Sequence, residues 1–399
     1  MSSAESRIAA YQTAPLICIV LFVEYSVETM SRRPQAEPSE PNSRHPVTAY
    51  EVARVAGVSQ SAVSRAFTPG SSISERTRSR VADAARKLNY RPNLIARSLA
   101  LRRSKIVGVI VPPLGNPFLP QLLEALSVSF SAMGYRVLLF TSYMQEAPEP
   151  LLEDVLNSRV DALVMISASV SSHFVEQCQA SQLPIVLLNR TTTSRLVSRV
   201  TGDNVGGAAT IASFLIAAKH RRFAYLAGLE DSSTSRDREA SFTARLAREG
   251  KALSARAVGH FDFKGSMDAT RQILRQRKRL DAIFCANDLT AMAAIQIARH
   301  EFGLDVGRQI SIIGFDDAEQ ASWPCFDLTT YEQPAQAMAD AVTTLLDKQL
   351  KESPAGRAEL RVVPGDLVVR SSARLPALGI TGPPERRIWI EPGPPLVSI

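Results

Sequence analysis

The sequence predicts an N-terminal all-α domain followed by an α/β region made of two parallel-sheet subdomains. From Ile106 onward, short runs rich in apolar and β-branched residues alternate with longer stretches of helical spacing. Such alternation is typical of parallel sheets with helices on both faces. Residues 47–91 instead contain three short helical patterns. The α/β pattern covers about 270 residues, which is more than one sheet usually organises, so two subdomains are expected.

Charge is distributed unevenly along the chain. Residues 46–104 contain eleven lysines and arginines against three acids, a balance of +8, while the formal charge of all 399 residues is only +7. The rest of the chain is therefore close to neutral. A basic segment attached to a neutral body predicts a polyanionic partner for the N-terminal domain and a different ligand for the body.

Several classes of protein are excluded by composition and spacing. The four cysteines show no CxxC spacing and the five histidines form no HExxH or similar ligand set, so we expect neither disulfides nor a metal, and no cofactor. Residues 16–23 are apolar, but they fall far short of the roughly 20 residues that a spanning helix needs. They also lack the features of a signal peptide. We therefore expect a cytoplasmic protein with no membrane partner.

Both ends of the chain are expected to lie outside the folded domains. Residues 1–45 are interpreted as a disordered or misannotated N-terminal extension, because Met30 begins a Ser/Arg/Pro-rich stretch that leads into the patterned region. Residues 376–399 are rich in proline and contain no heptad pattern, so we expect a flexible tail.

The stretch "VTAYEVARVAGVSQSAVSRAF", residues 47–67, predicts a helix-turn-helix. Thr48 and Glu51 have the spacing of a capping box at the start of a first helix. Ala53 leaves room for a second helix to approach, and Gly57 can adopt the positive φ that ends the first helix. Ser59 can then cap the second helix. These positions define the angle between two helices joined by a short turn.

The exposed face of the second helix is expected to contact DNA. The N-terminal residues of a recognition helix meet base edges in the major groove, where Arg65 suits guanine and Gln60 suits adenine. The alternative is an ordinary surface helix, but a third helix capped by Ser74 and the local charge of +8 favour double-stranded DNA as the partner. The predicted DNA-binding residues of this domain are Thr48, Ser59, Gln60, Ser61, Ser64 and Arg65.

Residues 92–104 predict a short basic helix between the two regions. Pro92 suits a first helical turn, and Ile95 and Leu99 fall on one face. These apolar side chains can pair with a second copy and insert into a minor groove. A plain interdomain linker is the alternative.

The motifs together resemble the lactose repressor and galactose repressor (LacI/GalR) family of bacterial transcription regulators. "VTAYEVARVAGVSQSAVSRAF" resembles its helix-turn-helix, and "NYRPNLIARSLA" resembles its hinge helix. The α/β region resembles its periplasmic-binding-protein-like effector domain, so that the similarity covers residues 47–374. The resemblance implies a homodimer that binds a DNA operator, with repression as the expected output and a small-molecule effector as the control. It places Leu99 in the minor groove, with Asn93 and Ala96 beside it.

The expected domain boundaries follow from these patterns. Residues 46–91 form the DNA-binding domain, residues 92–104 the hinge helix and linker, and residues 105–375 the effector-binding and dimerisation domain. Within the latter, we expect residues 105–203 and 334–360 in one subdomain and residues 204–333 and 361–375 in the other.

Polar and aromatic residues at strand ends predict the effector site. Ligands of such domains bind in the cleft at the carboxyl ends of the strands. Aromatic rings, amides and carboxylates suit a sugar, while Arg190 and Arg238 together indicate a sugar acid or sugar phosphate. Arg190 has Asp203 and Asp316 as alternative partners. The predicted effector-binding residues are Phe118, Arg190, Arg238, Phe261, Asn287 and Asp316. The family resemblance implies all of these except Arg190, and Phe261 replaces a tryptophan found in some members.

Two other functions remain as alternatives. A sugar-binding protein without DNA function would have the cleft but not the basic N-terminal domain. An α/β enzyme could use Asp316 and Asp317 as an acid pair, but adjacent carboxylates on one strand end point in different directions. The sequence contains no GxSxG, GxxxxGK[ST] or GxGxxG motif. We therefore expect no catalytic residues and no enzyme activity.

Overall fold

The computed structural model describes residues 47–68, 70–91, 103–141, 148–167, 172–192, 196–276, 279–351 and 358–393. The chain divides into two compact units, with the boundary in the sequence between Arg91 and Pro92. The predicted N-terminal extension and the predicted hinge residues Asn93, Ala96 and Leu99 lie outside the described residues.

The first unit is a bundle of three helices: α1 (Ala49–Ala56), α2 (Gln60–Ala66) and α3 (Glu75–Lys87). Val52, Val63 and Val81, one from each helix, are at most 1% exposed and form the centre of its core. The capping box at the start of α1 is confirmed, because the Glu51 amide donates to Thr48 Oγ1 at 3.4 Å and the Thr48 amide donates to Glu51 Oε2 at 2.7 Å. Gly57 has a φ of +61°, as the turn between α1 and α2 requires.

The second unit begins with a six-stranded sheet. Its strands are β1 (Ile106–Val111), β2 (Arg136–Thr141), β3 (Ala162–Ile166), β4 (Ile185–Leu188), β5 (Ser198–Gly202) and, from much later in the chain, β11 (Leu360–Val363). All neighbours pair in parallel in the order β11-β5-β4-β3-β1-β2. The helices of this subdomain are α4 (Phe118–Ala132), α5 (Pro148–Asn157), α6 (Ser172–Ala180) and α11 (Ala335–Lys351).

The second sheet of this unit has eight strands. They are β6 (Phe223–Ala227), β7 (Leu253–Val258), β8 (Ala282–Cys285), β9 (Ser311–Asp316), β10 (Thr329–Glu332), β12 (Leu367–Val368), β13 (Ile380–Thr381) and β14 (Ile388–Trp389). Their order is β13-β14-β12-β10-β9-β8-β6-β7, with parallel pairing from β10 to β7. The helices are α7 (Asn204–Ala217), α8 (Ser233–Ala247), α9 (Phe263–Leu274) and α10 (Asp288–His300). The predicted fold class is confirmed.

The chain passes between the two sheets three times: after β5, after β10 and after β11. The third passage comes later than the sequence predicted. We expected residue 361 to begin the return to the second subdomain, but β11 pairs with β5 as far as Val363, opposite Gly202. The alternating apolar residues of β11 extend the first sheet through these positions.

The flexible tail predicted for residues 376–399 is wrong for residues 376–393. Strand β14 pairs antiparallel with β12, and β13 pairs with β14, so the tail extends the second sheet at its edge. Trp389 is only 3% exposed. Its ring meets Phe214 of α7 edge-on at 5.6 Å between centroids, and its Nε1 donates to the Leu378 carbonyl at 3.0 Å. Burial of this ring and pairing with the free edge of β12 outweigh the high proline content.

Candidate functional site

The first candidate site is the open face of α2. Gln60, Ser61, Ser64 and Arg65 are all exposed on it, while Val63 and Ala66 face the core of the three-helix bundle. The division follows from helical geometry, since residues four apart, such as Gln60 and Ser64 or Ser61 and Arg65, lie on one face. The four predicted base-contacting side chains therefore form one continuous polar surface.

Thr48 and Ser59, also predicted to contact DNA, act as N-caps. The Ser59 hydroxyl accepts from the Ala62 amide at 3.2 Å and lies 2.9 Å from the Ser61 hydroxyl. Arg65 returns to its own helix through a long contact from Nε to the Ser61 carbonyl at 3.4 Å. A contact of that length is weak, so the Arg65 guanidinium can leave it at low cost and reach a base.

Two of the basic side chains in this unit hold the bundle together. Arg80 donates to the Ala56 carbonyl at 2.6 Å, and Arg78 donates to the Ala66 carbonyl at 2.8 Å. Both carbonyls are at helix ends, where intrahelical partners are missing. The charge count alone did not distinguish these structural arginines from those that face solvent.

The second candidate site lies in the second unit, at the carboxyl ends of strands from both sheets. Its centre is Arg238 of α8, which is 2% exposed. The guanidinium stacks on the Phe315 ring at 3.6 Å, donates from Nε to Asn204 Oδ1 at 2.7 Å and lies 3.5 Å from Asp316 Oδ1. It also donates to the Ala286 carbonyl. Arg238 is thus fixed in place from four directions.

Asp316 forms the acidic part of this site at the end of β9. Burial raises the pKa of Asp316 to about 6, although the Arg238 guanidinium and the amides of Gln333 and Asn116 act to lower it. Gln333 Nε2 donates to Asp316 Oδ1 at 2.6 Å. Asn116 belongs to the first subdomain, so groups from both subdomains surround this carboxylate.

Four buried polar atoms at strand ends of the two subdomains have no hydrogen-bond partner among the described residues. They are Asn189 Oδ1, Asn287 Nδ2, Asp316 Oδ2 and Gln333 Oε1. Each residue is at most 8% exposed. Leaving a buried polar atom without a partner costs about 1–3 kcal/mol, so four such atoms at the carboxyl ends of strands are typical of a site completed by a polar ligand.

Gln333 was missed by sequence reasoning. It lies in the second passage between the sheets, and its side chain fills the space beside Gly202 so closely that a Cβ there would lie 2.5 Å from Gln333 Oε1. The glycine and the glutamine are 131 positions apart, so no local pattern connects them. Asn204, which binds Arg238, was missed for the same reason.

Arg190 pairs with a different acid from those expected. Its Nη2 lies 3.9 Å from Asp231 Oδ2, and burial lowers its pKa. Of the two predicted partners, Asp203 caps α7 by accepting from the Gly206 amide at 2.7 Å, and Asp316 is held by Arg238. The chain at Arg190 nevertheless lies beside the opposite subdomain, because the amide of Thr191 donates to Ser233 Oγ at 2.9 Å.

The two predicted aromatic residues differ in exposure. Phe118, at the start of α4, is fully buried in the core of the first subdomain. Phe261 is half-buried, has a φ of +57° and packs against Gly228 at the end of β6. Phe261 is therefore the better placed of the two to meet a ligand.

The acid pair of the enzyme alternative does not converge. Asp316 faces Arg238, whereas Asp317 pairs with Arg370 at 2.8 Å. A second arrangement has catalytic composition: Ser311 Oγ lies 2.9 Å from His220 Nε2, and His220 Nδ1 lies 3.6 Å from Asp281 Oδ1.

This serine and histidine are at most 2% exposed, which leaves no route for a substrate. Arg374 also lies 3.2 Å from His220 Nδ1. Burial, followed by the Arg374 charge, lowers the pKa of His220 to about 4. The group joins the start of β9 to the segment before β6 and is structural.

Across the described ranges, no helix is long and apolar enough to cross a membrane. The same residues contain no cluster of three side chains suited to a metal ion.

Comparison with known proteins agrees with this architecture. Residues 48–93 match the family described as bacterial regulatory proteins, lacI family, and residues 212–373 match the periplasmic binding protein-like domain. The ribose operon repressor of Escherichia coli (strain K12) is 29% identical over 330 residues, which cover 82% of this chain and 99% of that protein.

Two solved structures have the same fold. The Lac repressor dimer bound to operator and the anti-inducer ONPF aligns with a TM-score of 0.75 and 27% identity, over 83% of this chain and all of that one. The complex of the transcriptional regulator CelR with cellobiose aligns with a TM-score of 0.63 and 26% identity, over 82% of this chain and all of that one.

A helix-turn-helix domain followed by a two-subdomain binding-protein fold defines a class: the DNA-binding transcription regulators with a sensing body. Within that class, the chain has the helix-turn-helix domain of the lacI family of bacterial regulatory proteins, and its relatives and structural neighbours are repressors of the LacI/GalR type.

Proposed function

We propose that the protein is a homodimeric repressor in the cytoplasm whose affinity for a DNA operator is set by a small effector in the cleft of the second unit. The observation that carries the sensing function is the set of four unpartnered buried polar atoms at strand ends, among them Oδ2 of Asp316, the partner of Arg238. The exposed α2 surface supports operator binding. We assign no catalytic role to either unit.

We further propose a neutral sugar as the effector. Three of the four unpartnered atoms are acceptors, on Asn189, Asp316 and Gln333, and one is a donor, on Asn287. A ligand that matches them must offer several hydroxyl donors. Both arginines of the cleft already face acids, Asp316 and Asp231. This pairing favours a neutral sugar over the sugar acid or sugar phosphate that two free guanidinium groups would favour.

A ligand panel tests this assignment. Thermal unfolding of the full chain is measured with neutral sugars, sugar acids and sugar phosphates, and operator affinity is measured with each compound that stabilises the protein. We expect a neutral sugar to raise the Tm and to change operator affinity. Stabilisation by anionic compounds alone would contradict the neutral effector, and stabilisation without any effect on DNA binding would favour a sugar-binding protein.

Arg65→Ala is expected to reduce base discrimination. A good bidentate contact to a base contributes about 1–3 kcal/mol of discrimination, so the ratio of operator to scrambled-duplex affinity should fall about tenfold or more. Fluorescence anisotropy with both duplexes at several salt concentrations measures it. Lys87→Ala, at the exposed end of α3, is the control: it should weaken binding to both duplexes alike. Equal losses on both duplexes for Arg65→Ala would count against base reading.

Sugar binding is expected to weaken below pH 6. An ionised Asp316 can accept a ligand hydroxyl at Oδ2, the oxygen without a hydrogen-bond partner, and burial raises its pKa to about 6. Protonation competes with the ligand, so affinity should fall about tenfold at one pH unit below that pKa. Calorimetric titration between pH 7.5 and pH 5 measures this. Asp316→Asn should bind weakly with no such decline, and a flat wild-type profile would remove Asp316 from the site.

A further inference from the structure

One arginine of the C-terminal extension contacts three carboxylates at once. Arg386 lies between β13 and β14, beyond residue 373, where the match to the binding-protein family ends. Its Nη2 donates to Glu332 Oε2 at 2.7 Å and to Asp366 Oδ2 at 3.3 Å. Its Nη1 lies 3.7 Å from Asp317 Oδ2. The three carboxylates come from three different parts of the second subdomain.

Two of these carboxylates lie at the ends of passages between the sheets. Glu332 is the last residue of β10, directly before the second passage, and Asp366 directly precedes β12, at the end of the third. The two passages also touch through the backbone, since the Glu332 amide donates to the Asp366 carbonyl at 2.8 Å. Gly365 allows this approach, because a Cβ there would lie 2.1 Å from the Glu332 carbonyl oxygen.

The third carboxylate connects the arginine to the candidate effector site. Asp317 follows Asp316, and it is held by Arg370 at 2.8 Å as well as by Arg386. Without Arg386, Glu332 and Asp366 would face each other with no cation between them. The position of Arg386 in turn depends on Trp389, three residues later, whose buried ring attaches the extension to α7.

We propose that residues 376–393 form a strap that restricts bending of the second and third passages, with Arg386 as the positioning residue. Rotation of one subdomain against the other is taken up by backbone changes in a few connecting residues. A strap that joins two of the three connections limits this rotation. Its role in the response to the effector rests on the proposed function, whereas the restriction of the passages does not.

Hydrogen exchange of the full chain, followed by mass spectrometry, tests the strap. In Arg386→Gln, amides at residues 330–333 and 365–368 are expected to exchange about fivefold faster, while those of β8 stay unchanged, as local opening requires. Arg387→Gln is the matched control, because Arg387 is adjacent and forms no ion pair among the described residues. Arg386→Lys, which keeps the charge but not the planar fork, should fall between the two.

The outcomes separate the strap from simple stability. Equal exchange in Arg386→Gln and Arg387→Gln would overturn the strap, and so would faster exchange throughout the second unit. If Arg386→Gln does not fold, Glu332→Ala, which removes the shortest contact, should give the same local increase.

Operator affinity supplies the functional measurement. The ratio of affinities with and without the most stabilising neutral sugar should change about threefold or more in Arg386→Gln, within the usual range of allosteric coupling. Suppose that Arg386→Gln shows faster local exchange but that no sugar changes the operator affinity of the wild type. The strap would then be supported and the proposed function would be rejected. If Arg386→Gln exchanges faster locally but keeps the wild-type ratio of operator affinities, the strap restricts the passages only. Its role in the response to the effector would then be overturned.

Discussion

Arg238→Met is expected to lower the free energy of unfolding by about 3–5 kcal/mol, the usual loss when one partner of a buried ion pair is removed. Asp316 would remain at 2% exposure without its cation, and Asn204 Oδ1 and the Ala286 carbonyl would each lose a donor. The variant should also lose its response to sugar. Urea denaturation with far-UV circular dichroism gives the stability, and calorimetric titration gives the sugar affinity.

A double variant separates the buried charge from the packing. Combining Arg238→Met with Asp316→Leu removes both charges and should recover part of the lost stability, since apolar pairs replace buried ion pairs at little cost. Sugar binding should not recover, because both polar groups are gone. If Arg238→Met alone lowers the free energy of unfolding by less than about 1 kcal/mol, Arg238 is not the centre of the site.

Trp389→Ala is expected to destabilise the protein by about 3–5 kcal/mol, the range typical of large aromatic residues replaced in a core. The indole is 3% exposed, packs on the fully buried Phe214 and makes a hydrogen bond to the Leu378 carbonyl. Its loss would leave a cavity beside α7 and release β14 from β12. Thermal and urea unfolding of the second unit measure the effect.

Ile390→Ala is the matched control for this prediction. Ile390 is the next residue along the chain, but it is 58% exposed. Surface substitutions usually change stability by less than about 0.5 kcal/mol. If both variants unfold like the wild type, the extension does not contribute to the fold, and the strap would have no anchor.

Local rules predicted the first unit well. The capping box of Thr48 and Glu51 and the positive φ of Gly57 depend on residues close together in sequence, and the structure has all of them. The exposure of Gln60 and Arg65 follows from the period of one helix. Such features need no knowledge of the rest of the chain.

Features that depend on distant contacts were predicted poorly. The partner of Arg190 is Asp231, 41 positions away, and the contact of Gln333 with Gly202 spans three times that distance. The prediction for the tail was wrong because proline content favours a loop in isolation, whereas pairing with β12 and the contact of Trp389 with Phe214 determine its structure. Strand ends located the candidate site, but tertiary packing determined which polar atoms lack a partner.

Each sheet of the second unit takes a strand from the last tenth of the chain. The first sheet needs β11, and the second needs β12 and β14, which ends at Trp389. A nascent chain therefore cannot complete either sheet until nearly all of it has left the ribosome, and the two subdomains reach their final structures together. A premature stop codon before residue 360 would expose β5 and β10 as new edge strands of the two sheets, the kind of surface that promotes aggregation.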